Sequence, residues 1–175
     1  MKHFLFLAVF LGSFLLIAAE PPSVTLMIVT SFPNKKATSA PGQWIKDLHG
    51  NLLFHHVNDQ KLVFKKFKKV VYSKPPVPLE IDLPDGTRME TSNVMFHLYP
   101  DDAKRFHELT KNNKGRQVAC FIGEKFFCAP VILTPIPDGC FEISGGFTKK
   151  DMKAVQTLIK AAKKTKNKAK IISNQ

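Results

Sequence analysis

Between Asn93 and Ala162 the apolar residues change period several times, and that order restricts the fold more than any other feature of the chain. Val94–Tyr99 (VMFHLY) has the length and composition of a strand. Pro100 suits the first position of a helix, Asp101 and Asp102 oppose the dipole in its first turn, and Ala103, Phe106 and Leu109 recur at helical spacing. Gly115, after Asn112 and Asn113, closes that helix. Gln117–Ile122 and Lys125–Ala129 are apolar runs around Gly123-Glu124, a pair suited to a tight hairpin turn. Pro130–Ile136 continues extended, Pro137-Asp138-Gly139 turns, and Cys140–Ser144 is a further strand. Thr148 caps a second helix with Asp151 at its third position, and Met152, Val155, Leu158, Ile159 and Ala162 form its apolar stripe. The order strand, helix, strand, strand, strand, helix predicts an α+β domain, a mostly antiparallel sheet with two helices packed on one face.

The first half carries weaker signals. Residues 1–19 (MKHFLFLAVFLGSFLLIAA) place Lys2 and His3 before an apolar run that ends in Ala18-Ala19, the layout of a signal peptide cut after Ala19. No later stretch is apolar and long enough to span a bilayer. Ser23–Phe32 reads as a strand, and Pro33 to Gly42 as a polar loop. Leu52–Val57 and Leu62–Tyr72 read as two strands or a strand and a short helix, with a turn at Gly50-Asn51. Lys74-Pro75-Pro76-Val77-Pro78 is an extended hinge. Leu79–Leu83 and Arg88–Thr91 form a short hairpin through Pro84-Asp85-Gly86-Thr87. The chain thus divides into a signal peptide (1–19), a β-rich segment (20–92), the α+β domain (93–165) and a flexible lysine-rich tail (166–175).

The second half resembles the head subdomain of the first periplasmic domain of SecD and SecDF, bacterial translocase accessory proteins. The resemblance is carried by Phe127-Cys128-Ala129-Pro130-Val131-Ile132, Pro135-Ile136-Pro137-Asp138-Gly139 and Ile143-Ser144-Gly145-Gly146-Phe147-Thr148. Upstream, Leu98-Tyr99-Pro100-Asp101-Asp102-Ala103-Lys104-Arg105-Phe106, Leu109-Thr110 and Gly115 fall where that family has similar residues. Lys149-Lys150 replaces an acidic pair common in the family, and a lysine run from Ala161 to Lys170 replaces the return to its lower subdomain. Together with the signal segment, and without the six membrane spans of SecD, these departures read as a free-standing, exported head domain, periplasmic or extracellular. The resemblance implies contact with unfolded or extended polypeptide and a link to protein export.

No Gly-x-Ser-x-Gly elbow, phosphate-binding glycine loop or His-Glu-x-x-His pattern is present, so the reading is a non-enzymatic binding module without cofactor or metal. Adjacent His55 and His56 point to opposite faces of a strand and cannot chelate one ion. Asp101 and Asp102 are explained by the helix start, and Gly145-Gly146 by a tight strand-to-helix turn. Phe121, Phe126, Phe127 and Phe141 are the candidate polypeptide-binding rings, because two helices can cover only one face of a sheet. The formal charge is +12, from 26 Lys and Arg against 14 Asp and Glu. Lys65, Lys66, Lys68 and Lys69, with Lys163 and Lys164, are candidates for an anionic surface. The rival reading is therefore a peripheral envelope protein held by lysines to anionic lipid or another polyanion. Export and the scarcity of Arg disfavour nucleic acid.

Cys120, Cys128 and Cys140 show no metal-type spacing, and their odd number leaves at least one thiol free. A two-residue turn at Gly123-Glu124 pairs Cys120 with Phe127 and Ala119 with Cys128. Cys120 and Cys128 then face opposite ways, which predicts no disulfide between them; a bulge would change this parity.

Overall fold

The computed structural model describes residues 22–32, 41–47, 51–75, 79–82 and 86–172, with side chains through Thr165. The signal segment 1–19 lies outside the described residues. Ten strands and two helices follow in order: β1 (Val24–Phe32), β2 (Gly42–Lys46), β3 (Leu52–His56), β4 (Lys61–Phe64), β5 (Lys69–Ser73), β6 (Glu80–Asp82), β7 (Arg88–His97), α1 (Pro100–Asn112), β8 (Gln117–Ile122), β9 (Lys125–Cys128), β10 (Cys140–Phe147) and α2 (Lys149–Ile172). The fold is α+β, and every strand pairing among the described residues is antiparallel.

The strands make two sheets where the sequence suggested one. A six-stranded sheet runs β2-β3-β1-β8-β9, with β4 also on β1, and a four-stranded sheet runs β10-β7-β5, with β6 on β7. Strand β1 is the hinge of the larger sheet. One of its edges pairs with β8, and the other is shared by β4 along its first half and β3 along its second. The run Leu62–Tyr72 is accordingly broken at Lys65–Lys68, because β4 joins one sheet and β5 the other. Strand β7 passes unbroken through residues 92 and 93 and takes in both strand-like runs that the sequence kept apart.

Several local devices form as their residues dictate. Thr148 and Asp151 make a reciprocal cap, with the Asp151 N–H donating to Thr148 Oγ1 at 3.2 Å and the Thr148 N–H to Asp151 Oδ2 at 2.8 Å. Helix α1 begins with Pro100 after Tyr99, which caps without a side-chain hydrogen bond. Strands β6 and β7 pair Ile81 with Met89 across the expected hairpin, although residues 83–85 of its turn lie outside the described residues. Pro130–Ile136 contributes no strand, only a bridge from Val131 to Gln117. Gly139 is required where it stands: its φ is 64°, and an added Cβ would come within 2.3 Å of Ala103 Cβ.

One hydrophobic cluster joins both sheets and both helices. It contains Val24, Leu26 and Ile28 of β1, Val94 and Phe96 of β7, Phe106 and Leu109 of α1, Ile143 and Phe147 of β10, and Val155, Leu158 and Ala162 of α2. Each fully buried Phe or Leu contributes about 1.5–3 kcal/mol relative to exposure, so the stripes of α1 and α2 hold the helices in place. A second, smaller cluster gathers Met27, Val29, Ile45, Leu53 and Ala119 with Phe121, Phe126 and Ala129. Met27 and Val29 alternate with Leu26 and Ile28 along β1, so the two clusters lie on opposite faces of the six-stranded sheet. No helix among the described residues is long and apolar enough to cross a membrane.

Candidate functional site

The hairpin β8–β9 decides which phenylalanines are available. Its turn forms at Gly123-Glu124, with Gly123 at φ 62°, and Ile122 faces Lys125 and Phe121 faces Phe126 as the sequence predicts. Beyond that the register shifts, and Cys120 lies opposite Cys128. The expected pairs Cys120–Phe127 and Ala119–Cys128 are therefore overturned. A bulge at Phe127 inserts one extra residue, so Phe127 and Cys128 both turn toward the main cluster. Both thiols are free in this structure.

The four candidate rings separate into two pairs. Phe127 is buried and packs on Phe147 with ring centroids 4.8 Å apart. Phe141 packs on Phe96, Phe106 and Phe64 in the main core. Phe121 and Phe126 lie on the other face, half-buried and edge to face at 5.6 Å. Strand β9, which carries Phe126, is at the end of the strand order among the described residues.

The start of α2 is fixed to the same hairpin. Lys125 pairs with the buried carboxylate of Asp151, and its ammonium lies 5.0 Å from the centre of the Phe127 ring. Burial pushes the Asp151 carboxyl up, but the hydrogen bonds from Lys125 and Thr148 outweigh it and hold the carboxyl below its ordinary range.

The lysines that sequence separates by almost a hundred residues are brought together. Leu158 and Ala162 point into the core, which leaves a groove on either flank of α2. One groove, of about 380 Å³, has Phe67, Leu158 and Ala161 as its floor and Lys65, Lys66 and Lys164 at its rim. The other, of about 440 Å³, has Val70, Tyr99 and Ile159 as its floor and Lys68, Lys69 and Lys163 at its rim. All six lysines are exposed, and no Asp or Glu is among the described residues lining either groove. The segment 65–68 is positioned by strands that enter different sheets, β4 on β1 and β5 on β7, which no local pattern announces.

His55 and His56 make framework contacts. His55 Nδ1 lies 2.8 Å from the Ile28 carbonyl, and His56 stacks edge-on against Phe54. A cluster that the sequence reading missed joins the β3–β4 turn to the end of α1. Arg116 donates to Asp59 through two bonds of 2.9 and 2.7 Å, and Asn113 Nδ2 donates to Gln60 and to the Leu109 carbonyl.

Residues 67–163, more than half of the chain, match the family described as SecDF, P1 head subdomain. This chain belongs to that family. The head-subdomain match begins at Phe67, so it takes in β5 and β6 as well as the segment whose motifs carried the resemblance. Two protein translocase subunits SecD, from Sebaldella termitidis and Rickettsia bellii, are each 39% identical to this chain over 68 residues. Those residues are 39% of this chain but only 17% and 13% of the two subunits, so the head subdomain here spans a small part of its curated relatives. A solved SecDF structure, described as a membrane component that enhances protein export, covers 81% of this chain and 63% of its own, at 15% identity and a TM-score of 0.46. A second, SecDF in a super-membrane-facing form, covers 81% of this chain and 29% of its own, at 12% identity and a TM-score of 0.36.

Proposed function

We propose that this head subdomain is an exported, non-enzymatic module that serves protein export by contacting unfolded or extended polypeptide. The observation that carries this reading is the Phe121–Phe126 pair, two half-buried rings on the sheet face opposite the main core. Rings in that position add apolar contact to any chain that lies along the neighbouring strand edge, where main-chain hydrogen bonds do not depend on sequence. Family membership supports the link to export. Phe127 and Phe141 do not belong to the proposed surface, since both pack in the main cluster. Titration of a labelled unfolded protein at two ionic strengths tests the reading. We expect micromolar or weaker binding that survives moderate salt and drops when Phe121 and Phe126 are replaced by Ser. Absence of binding at both ionic strengths would remove the proposal.

The two grooves beside α2 favour a second reading, attachment to an anionic lipid surface. Apolar floors with lysine rims suit acyl chains beneath negative head groups. Co-sedimentation with vesicles that contain anionic lipid should then fall as salt screens the lysines, and Gln at Lys66, Lys68, Lys163 and Lys164 should abolish it. Equal binding to zwitterionic vesicles would exclude this role for the lysines.

A further inference from the structure

We propose that Cys120 and Cys128 are a disulfide-forming pair, oxidised by a disulfide donor such as a thiol–disulfide oxidoreductase or oxidised glutathione. The export reading supplies only the place where such a donor would be met. The pairing itself rests on the geometry of the hairpin. Directly opposed residues on antiparallel strands have Cα atoms roughly 4.5–5.5 Å apart, inside the range of about 4.4–6.8 Å that disulfides span. The bulge makes Cys120 and Cys128 such a pair, and both side chains turn to the main-core side of the sheet. The neighbouring Cys128 thiol and burial push Cys120 well above the ordinary thiol range, while the Cys120 thiol lowers Cys128. Cys120 is buried at 4% exposure, whereas Cys128 is half-buried.

That asymmetry sets the order of events. The Cys128 thiolate attacks the donor disulfide, forming a mixed disulfide and expelling one donor thiolate. Cys120 then loses its proton and attacks the Cys128 sulfur, which expels the second donor thiolate. The protein gives up two electrons and two protons, and the donor leaves as two thiols. The bond would lock the bulge and with it the inward facing of Cys128 beside Phe127. Cys140 is the natural competitor, since it lines the same cavity of about 350 Å³ as Cys120.

The experiment is oxidation of the folded protein with oxidised glutathione, followed by tryptic mapping without reduction. Trypsin cuts after Arg116, Lys125 and Lys149, so Cys120 falls in one peptide and Cys128 and Cys140 together in the next. In a Cys140→Ser variant, linked peptides 117–125 and 126–149 can arise only from Cys120 and Cys128. We expect that linked species, with two thiols lost and none left in this variant. Cys120→Ser should retain glutathione on Cys128, and Cys128→Ser should remain largely unmodified. Two free thiols in folded, glutathione-treated Cys140→Ser protein would overturn the pairing. So would a Cys120–Cys140 bridge as the main product in the wild-type chain. Because the donor is added in the tube, neither result depends on whether the protein is exported.

Discussion

The two sheets are built to different standards of regularity. Strands β7 and β10 pair over eight consecutive residues, from His97 with Cys140 to Glu90 with Phe147, without a shift. In the larger sheet, β1 divides one edge between two strands, and β8–β9 shifts register after two residue pairs. The smaller sheet packs one well-filled core row, while the larger sheet carries apolar residues on both faces. Regular pairing fixes what each residue faces. Irregular pairing redirects residues, and here it turns Cys128 to the same face as Phe127.

The largest expected effect tests whether that contrast is energetic. Phe96 is 0% exposed and packs against Phe67 and Phe141, so Phe96→Ala should cost about 3–5 kcal/mol in urea unfolding. Phe126→Ala, on the half-buried face of the larger sheet, should cost about 1 kcal/mol. Equal losses would mean that the second face is a core in its own right.

A smaller effect separates the entry of β10 from its interior. Gly139→Ala must accept a φ of 64° and a contact with Ala103, and should destabilise by about 1–3 kcal/mol. Gly145→Ala meets nothing within 4 Å and should be neutral or raise stability by up to about 1 kcal/mol. Matching losses at both positions would show that the regularity of β10 is not set at its turn.

The smallest effect concerns the clamp on the irregular sheet. Burial raises the Asp59 carboxyl, but the hydrogen bonds and charge of Arg116 outweigh it, and the folded value lies below the ordinary one. The contribution of Asp59 is therefore complete above the unfolded value of about 4 and is lost as pH falls through the lower folded value. Urea midpoints measured from pH 6 downward should fall less steeply below about pH 4 for Asp59→Asn than for the wild type. Parallel pH curves would remove Asp59 as a contributor.

What the sequence revealed tracks the same contrast. The helices, their stripes, the Thr148–Asp151 cap, the hairpin turn at Gly123-Glu124 and the β6–β7 pairing all depend on residues close together, and each was readable from periodicity and turn chemistry. The bulge was not, because nothing in Lys125–Cys128 distinguishes a strand with an extra residue from one without it. That single residue turned Cys128 to the face that Phe127 already occupied and brought it opposite Cys120. Strand β2 was also hidden, since its first residue, Gly42, reads as loop. An added Cβ there would come within 2.3 Å of the His55 carbonyl oxygen, so the glycine serves close strand approach. The lysine-rimmed grooves were legible as charge but not as a place, because their two halves meet only after both sheets have formed.

The position of β1 also has a consequence in time. Val24 faces Ile122 and Val29 faces Gln117, so the strand that organises the larger sheet finds a principal partner only at residues 117–122. Closing so long a loop is slow compared with forming α1 or the β8–β9 hairpin. A chain delivered amino end first would have to keep the apolar residues Val24 to Val29 unpaired with β8 until residue 122 arrived. Its earliest strand would be among the last to be settled, and during that interval the chain would itself expose an extended apolar segment.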